Sequence, residues 1–275
     1  GVFRGRFQRV TPVNKRGGPA AGVDLMMEEY LRDGERIDDL GIAGLRIIQN
    51  PNKFCFGIDA VMLANFATVK KGDTVVDFGT GTGIIPIILA GKTEALKIIG
   101  IEIQGDMAEM AQRSIVMNGL GGRVRVLAGD LKCACSLVGE GTVDLVVSNP
   151  PYMNDGGGLK NPDSSKAIAR HEILCTLEDI VKSASRVLRS GGRLAMIHRT
   201  YRMVDVLLAM REAGIEPKRL RMVHSGIDRE SNLFLVEGAK EGGKFLKVSK
   251  PLVIYRQDGS YSEEIHRIYY EGERM

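Results

Sequence analysis

Cysteine and histidine are scarce in this chain of 275 residues, at four each, and their placement excludes several kinds of protein. Cys55, Cys133, Cys135 and Cys175 form no C-x-x-C pair. They read as reduced thiols of a cytoplasmic protein, not as a disulfide framework. The histidines are widely spaced, so no metal site is expected. No apolar run approaches the roughly 18 residues that a membrane span needs. The first residues lack the apolar centre of a secretory signal. A net charge of +4 is too mild to demand a nucleic-acid partner, although it permits one. Arginine is gathered in "RVLRSGGR", "HRTYR" and "KRLRM", between Arg186 and Arg221; an ordinary solvated surface carries such clusters too.

What the chain does have is an ordinary globular balance, with 44% hydrophobic and 26% charged residues. The length suits one large domain with extensions. Residues 1–25 are Gly/Arg-rich and without hydrophobic periodicity. They read as a disordered leader foreign to the rest, with the native chain starting near Met26. Residues 26–70 read as an N-terminal cap, with short strands in "IAGLRIIQN" and "KFCF" and a helix in "GIDAVMLANFAT". Asp59 stands at the start of that helix, where a carboxylate can cap free N–H groups.

From residue 71 to about 255 the pattern is regular. "DTVVDF", "LKIIGIEI", "GRVRVLAGD", "TVDLVVSN" and "GGRLAMIH" read as buried strands. "IIPIILAG" and "QGDMAEMAQRSIVMNG" read as helices, the first with Pro86 in its opening turn and the second closed by Gly119. "LEDIVKSASRVL" places Leu177, Ile180, Val181, Ala184, Val187 and Leu188 on one helical face. "YRMVDVLLAMREAG" reads as a further helix, followed by strands near 218–224, 232–238 and 245–254. Residues 256–275 form a tail. Strands alternating with helices through short glycine-containing turns give an α/β fold, a parallel sheet with helices on both faces.

The turn after the first of these strands is "DFGTGTG", with Asp77, Gly79, Gly81 and Gly83. Glycines let the backbone turn sharply and approach a ligand, and the helix N-terminus that follows favours a negative group. Glu102 ends the next strand, about twenty residues beyond the last glycine, where a carboxylate binds ribose hydroxyls. A nicotinamide dinucleotide and S-adenosyl-L-methionine both fit this arrangement. Asp77 favours the second, because a carboxylate repels a pyrophosphate and suits the cationic amino group of methionine. Pro86 also stands where a dinucleotide loop has its third glycine. Asp130, in "AGD", is placed either to accept a hydrogen bond from an adenine amino group or to cap the next short helix.

The fourth strand ends in "NPPY". Pro150 and Pro151 cannot continue a strand, so they hold Asn149 and Tyr152 rigidly at its end. A planar amino nitrogen is a weak nucleophile. The Asn149 side-chain oxygen and the Pro150 carbonyl would accept its hydrogens, favour its pyramidal form and stabilise the positive charge that develops on methylation. Tyr152 would stack on the ring.

"DFGTGTG…IGIE…AGD…NPPY" resembles the class I S-adenosylmethionine-dependent methyltransferases that modify exocyclic or amide nitrogens. Their fold is Rossmann-like, with a mostly parallel sheet of seven strands. "FCFGIDAVMLANF", "KNPDSSKAIARHE" and "KPLVIYRQDGSYSEEIHRIYYEG" are similar to stretches of the bacterial valine-tRNA adenine-N(6) methyltransferases. That resemblance implies methylation of the adenosine beside the anticodon, flipped into the pocket, and a tRNA partner for a monomer or homodimer. It places Phe56 and Asp59 near the cofactor. It makes the loop 153–171 an RNA contact, with Lys160, Lys166, Arg170 and His171 as candidates, although His171 and Glu172 serve equally to close the loop onto the core. Release-factor glutamine methyltransferases share the tetrad but carry a helical N-terminal domain, and ribosomal-RNA guanine methyltransferases more often end it in Phe. A nicotinamide-dependent oxidoreductase or a non-catalytic nucleotide-binding module would leave "NPPY" unexplained.

Overall fold

Valine and isoleucine runs too short for helices and flanked by glycine fold here as the interior of a parallel sheet. The computed structural model describes residues 27–52, 57–150 and 175–270. The leader expected over 1–25, the "KFCF" strand with Phe56, and Pro151, Tyr152, Lys160, Lys166, Arg170, His171 and Glu172 all lie outside the described residues.

An antiparallel pair opens the fold, β1 (Arg36–Asp39) and β2 (Arg46–Gln49), followed by helix α1 (Ile58–Phe66). Then come β3 (Thr74–Phe78), α2 (Ile84–Lys92), β4 (Lys97–Glu102), α3 (Gly105–Met117) and β5 (Val124–Ala128). The short α4 (Ala134–Val138), β6 (Val143–Ser148), α5 (Leu177–Val187), β7 (Leu188–Arg199), α6 (Met203–Glu212), β8 (Ile215–His224) and β9 (Ser231–Lys240) follow. Two strands of two residues, β10 (Lys247–Val248) and β11 (Leu252–Val253), and α7 (Glu263–Tyr270) complete the described chain.

The main sheet runs β10-β8-β9-β7-β6-β3-β4-β5, with β11 also on β8. Among the described strands of this sheet, only the pairs of β9 are antiparallel. Seven long strands are thus joined by two short ones. The single strand expected over 245–254 is split in two, with Pro251, which has no N–H for the ladder, just before β11. Leu188 is a second adjustment: it begins β7 instead of ending α5. Its side chain is buried on the same side as that helix, so the periodicity ran one residue too far.

Alternation along the strands divides the core. Val75, Leu145, Ala195 and Leu235 face the cluster containing α1, α2 and Ile265 of α7. Val76, Val146, Met196 and Val236 face α5 and α6. Leu40, Ile42 and Ile47 join the first cluster, so the N-terminal segment shares the core of the sheet. Local chemistry agrees with this layout. Thr176 accepts from Asp179 N at 3.2 Å and Thr176 N donates to Asp179 Oδ2 at 3.0 Å, a capping box that starts α5.

Candidate active site

The central strand β3 ends at Phe78, and its neighbours β4 and β6 end level with it. Phe78 pairs with Ile101 of β4 on one side and with Ser148 of β6 on the other. The glycine-rich turn, Glu102 and Asn149 therefore emerge together at the carboxyl edge of the sheet, where open α/β sheets bind ligands.

The turn needs its glycines. Gly79, Gly81 and Gly83 have φ of +71°, +54° and +81°, a region that residues with a Cβ adopt only at a cost. A Cβ on Gly79 or Gly81 would meet no described residue within 4 Å, whereas one on Gly83 would lie 3.1 Å from Ala111 Cβ of α3. The first two thus leave open space above the turn, and the third lets the turn pack on a helix. Backbone bonds fix the turn to β4: Gly79 N and Thr80 N both donate to Ile101 O, at 2.9 and 3.1 Å.

Glu102 takes a part that spacing alone did not reveal. Its Oε2 accepts from Gly81 N at 2.8 Å and its Oε1 from Gln104 N at 3.0 Å. The carboxylate is buried and braces the turn. Each oxygen keeps a second lone pair, so this bracing is compatible with accepting ribose hydroxyls as well.

Asp77 is the electrostatic centre. It is 1% exposed; Oδ2 accepts from Thr80 Oγ1 at 2.6 Å, while Oδ1 is buried with no partner among the described residues. Loss of water pushes its carboxyl up to about 7, the Thr80 hydrogen bond offsets part of this, and the nearby Glu102 adds to it. The Thr82 hydroxyl, in the same turn, is also buried with no partner among the described residues. Sequence reasoning passed over Thr80 and Thr82, although both stand inside the motif. It also passed over Gly100, in the middle of β4. A Cβ there would lie 2.7–2.9 Å from three Thr80 side-chain atoms, so Gly100 makes the room that Thr80 occupies. An isolated glycine in an apolar strand was the available signal.

The other residues expected at the site take the following positions. Asp130 caps the short 3-10 turn that starts at Leu131, its Oδ1 accepting from Lys132 N at 2.9 Å; a carboxylate has further lone pairs, so this cap is compatible with accepting from an adenine amino group as well. Asp59 sits two residues past the cap position of α1, in its first turn: Gly57 holds that position, and no side chain among the described residues caps this end of the helix. Burial pushes the Asp59 carboxyl up to about 6, against the attraction of Arg199 at the end of β7. Asn149 is half-buried and Pro150 buried, directly after β6, and Ser148 Oγ donates to Phe78 O at 3.2 Å to tie the two strand ends together. Among the described residues no group of three or more His, Cys, Asp or Glu is arranged to hold a metal. No described helix is long and apolar enough to cross a membrane.

A parallel sheet whose first strand leads into this turn, whose second ends in a buried acid and whose fourth ends in Asn-Pro defines a Rossmann-like methyltransferase of class I. Comparison agrees: residues 45–212 match the family described as Methyltransferase small domain, and the chain belongs to that family. It is 30% identical over 220 residues to the tRNA1(Val) (adenine(37)-N6)-methyltransferase of Porphyromonas gingivalis, covering 77% of this chain and 86% of that one. It is 33% identical over 141 residues to the protein of the same name from Bacteroides fragilis, covering 51% and 58%. The fold matches the crystal structure of a predicted O-methyltransferase from Agrobacterium tumefaciens, with a TM-score of 0.64 and 21% identity over 78% of this chain and 96% of that one.

The cofactor is S-adenosylmethionine, and the residues present fit it. The Asp77 oxygen that has no partner among the described residues would offer an acceptor to an ammonium group, Thr82 would offer its hydroxyl, and the described residues leave space above Gly79 and Gly81 for a ligand against the backbone. A pyrophosphate would meet two buried acids, Asp77 and Glu102, instead.

Proposed function

We propose that this protein methylates the exocyclic N(6) amino group of an adenine in tRNA, the adenosine beside the anticodon of a valine tRNA. The observation that carries the reading is the placement of Asn149 and Pro150 at the end of β6, next to the cofactor turn. The relative from Porphyromonas gingivalis, named for that reaction and aligned over most of both chains, supplies the substrate.

When bound, S-adenosylmethionine supplies an electrophilic methyl group. Asp77 holds its ammonium end; Gly79 and Gly81 let it lie on the turn; Glu102 accepts from the ribose, and Asp130 from the adenine of the cofactor. Asn149 and Pro150 accept the two hydrogens of the target amino group. That draws its lone pair out of conjugation and stabilises the charge that appears on nitrogen as the bond forms. The nitrogen becomes acidic once alkylated and releases its proton to water, so no strong base is needed. Tyr152 stacks on the flipped base, and Lys160, Lys166, Arg170 and His171 hold the RNA beside it. Asp59, at the start of α1, closes the cofactor side. Residues 26–70 serve as a cap on a catalytic unit that extends to about 255, in a cytoplasmic enzyme that is monomeric or homodimeric.

The test is methyl transfer from labelled S-adenosylmethionine, with unmodified bulk tRNA and a purified release factor offered in parallel. Label recovered as N(6)-methyladenosine is the expected result. Label on the release factor alone would retain the roles of Asn149 and Asp77 and overturn the RNA substrate.

A further inference from the structure

The outer edge of the main sheet carries cations that the reaction above does not use. Between residues 242 and 257 the chain has no Asp or Glu, but it has Lys244, Lys247, Lys250 and Arg256. Lys244, Lys247 and Lys250 are exposed, and none has an ion-pair partner among the described residues. Lys218 adds a fourth ammonium, donating from Nζ to Gly243 O at 2.7 Å.

Lysines on an edge strand are a common defence against edge-to-edge pairing. That purpose does not account for the apolar groups between them. Phe245 is 84% exposed and Val248 62% exposed, with Leu246 beside them. Phe245 also adopts a φ of +128°, a strained conformation for an aromatic residue. Solvated cations interleaved with an exposed ring and aliphatic side chains are the pattern of a surface that binds a polyanion with unpaired bases.

Register places this strip relative to the chemistry. Val248 pairs with Leu220, Leu220 with Val236, Val236 with Met196, and Met196 with Ser148. One row of the sheet therefore joins β10 to the residue before Asn149. Four inter-strand steps of about 4.8 Å put the two about 19 Å apart. Because β10 and β11 run parallel to β8, the strip continues to the carboxyl edge, where Leu252 pairs with Val223. A polynucleotide with one base at Asn149 can lay its neighbouring backbone along this edge.

We propose that the segment 244–250, with Lys218, is a second RNA contact of the enzyme. Lys244, Lys247 and Lys250 meet backbone phosphates, and Phe245 offers its face to an unpaired base. This inference rests on the RNA substrate proposed above.

The experiment measures binding of unmodified bulk tRNA by fluorescence anisotropy across a salt series. It uses the wild-type chain, the triple variant Lys244→Ala/Lys247→Ala/Lys250→Ala, and the single variant Phe245→Ala. S-adenosylhomocysteine affinity is measured on each to show that the fold is intact. The triple variant is expected to bind more weakly, with the slope of log K against log salt shallower by about 2 to 3. Phe245→Ala is expected to weaken binding about tenfold with the slope unchanged. Unchanged RNA affinity in both variants, beside normal RNA binding by the wild type, would overturn this inference alone. So would variants whose mass by light scattering falls while RNA affinity holds, because the edge would then join two copies of the chain. A wild type that binds no RNA would overturn the substrate reading itself.

Discussion

The Thr80 hydroxyl donates to Asp77 Oδ2 at 2.6 Å, while the other oxygen of that carboxylate is buried without a partner among the described residues. The group is half satisfied, and burial raises it to about 7. A cationic ligand at Oδ1, as proposed for the cofactor's ammonium group, would complete it and couple binding to the ionisation of Asp77. Ligand affinity therefore depends on the fraction ionised. S-adenosylhomocysteine, which retains the ammonium group, is expected to bind about tenfold more tightly at pH 8 than at pH 6 by calorimetry. In the ligand-free protein the sign for stability is opposite. Between about pH 4 and 7 the folded state keeps a proton that the unfolded chain has lost, so this group's contribution to stability falls as pH rises through that window. Asp77→Asn is expected to flatten both dependences. A flat affinity profile in the wild type would remove the ammonium from Asp77.

Gly100→Ala tests the same contact from the opposite side. The new Cβ would lie 2.7 Å from Thr80 Cγ2 and 2.8 Å from Thr80 Oγ1, in an interior with no slack. Stability is expected to drop by about 1–3 kcal/mol, and the Thr80–Asp77 bond is expected to break. Without that bond Asp77 ionises less readily, so the midpoint of the affinity profile should move above pH 7. A variant with the wild-type profile and stability would show that Thr80 adapts freely.

Asn149→Ala removes the acceptor proposed for the attacking nitrogen and lies outside the cofactor turn. Loss of about 10²- to 10³-fold in kcat is expected, by analogy with the loss of one preorganised hydrogen bond at a reacting centre. Calorimetric affinity for S-adenosylhomocysteine should stay within about twofold. Weak cofactor binding with a normal rate would reassign Asn149 to the cofactor.

Glu102→Gln separates bracing from charge. The carboxylate accepts two backbone N–H groups, Gly81 N and Gln104 N. An amide turns one acceptor into a donor and sets it against an N–H. Cofactor affinity is expected to fall at least tenfold, with a lower melting temperature even without ligand. A change in affinity with no change in melting would confine Glu102 to ribose binding.

Arg193→Met is the control for a purely structural ion pair. Arg193 Nη2 lies 2.5 Å from Asp73 Oδ2, and both residues are buried at the edge of the sheet opposite the site. The variant leaves the Asp73 carboxylate buried and unpaired, which costs about 3–5 kcal/mol. Denaturant unfolding should show that loss, and kcat measured below the melting temperature should be unchanged.

Much of the layout was legible because the signals were local. Valine and isoleucine runs bounded by glycine marked the long strands. Pro86 fell in the first turn of α2, and Gly119, with φ of +67°, follows α3 as a left-handed stop. The two adjustments have plain causes. Leu188 continued the helical period although the chain had already turned into β7. The edge strand divides at Pro251, and pairings of two residues leave no periodicity from which the division could be read.

Sequence by itself determined which residues have special chemistry: the glycines of the turn, the acids at 77 and 102, and the Asn-Pro after β6. These are properties of residue type and short spacing. Only the tertiary structure decided how they are used. Glu102 braces Gly81 because parallel pairing of β3 with β4 brings residues 21 apart into hydrogen-bond contact. Gly100 serves Thr80, and Val248 lies in one row with Ser148, through registers that follow from packing across the whole sheet. Register depends on contacts distant along the chain, which no short window of sequence contains.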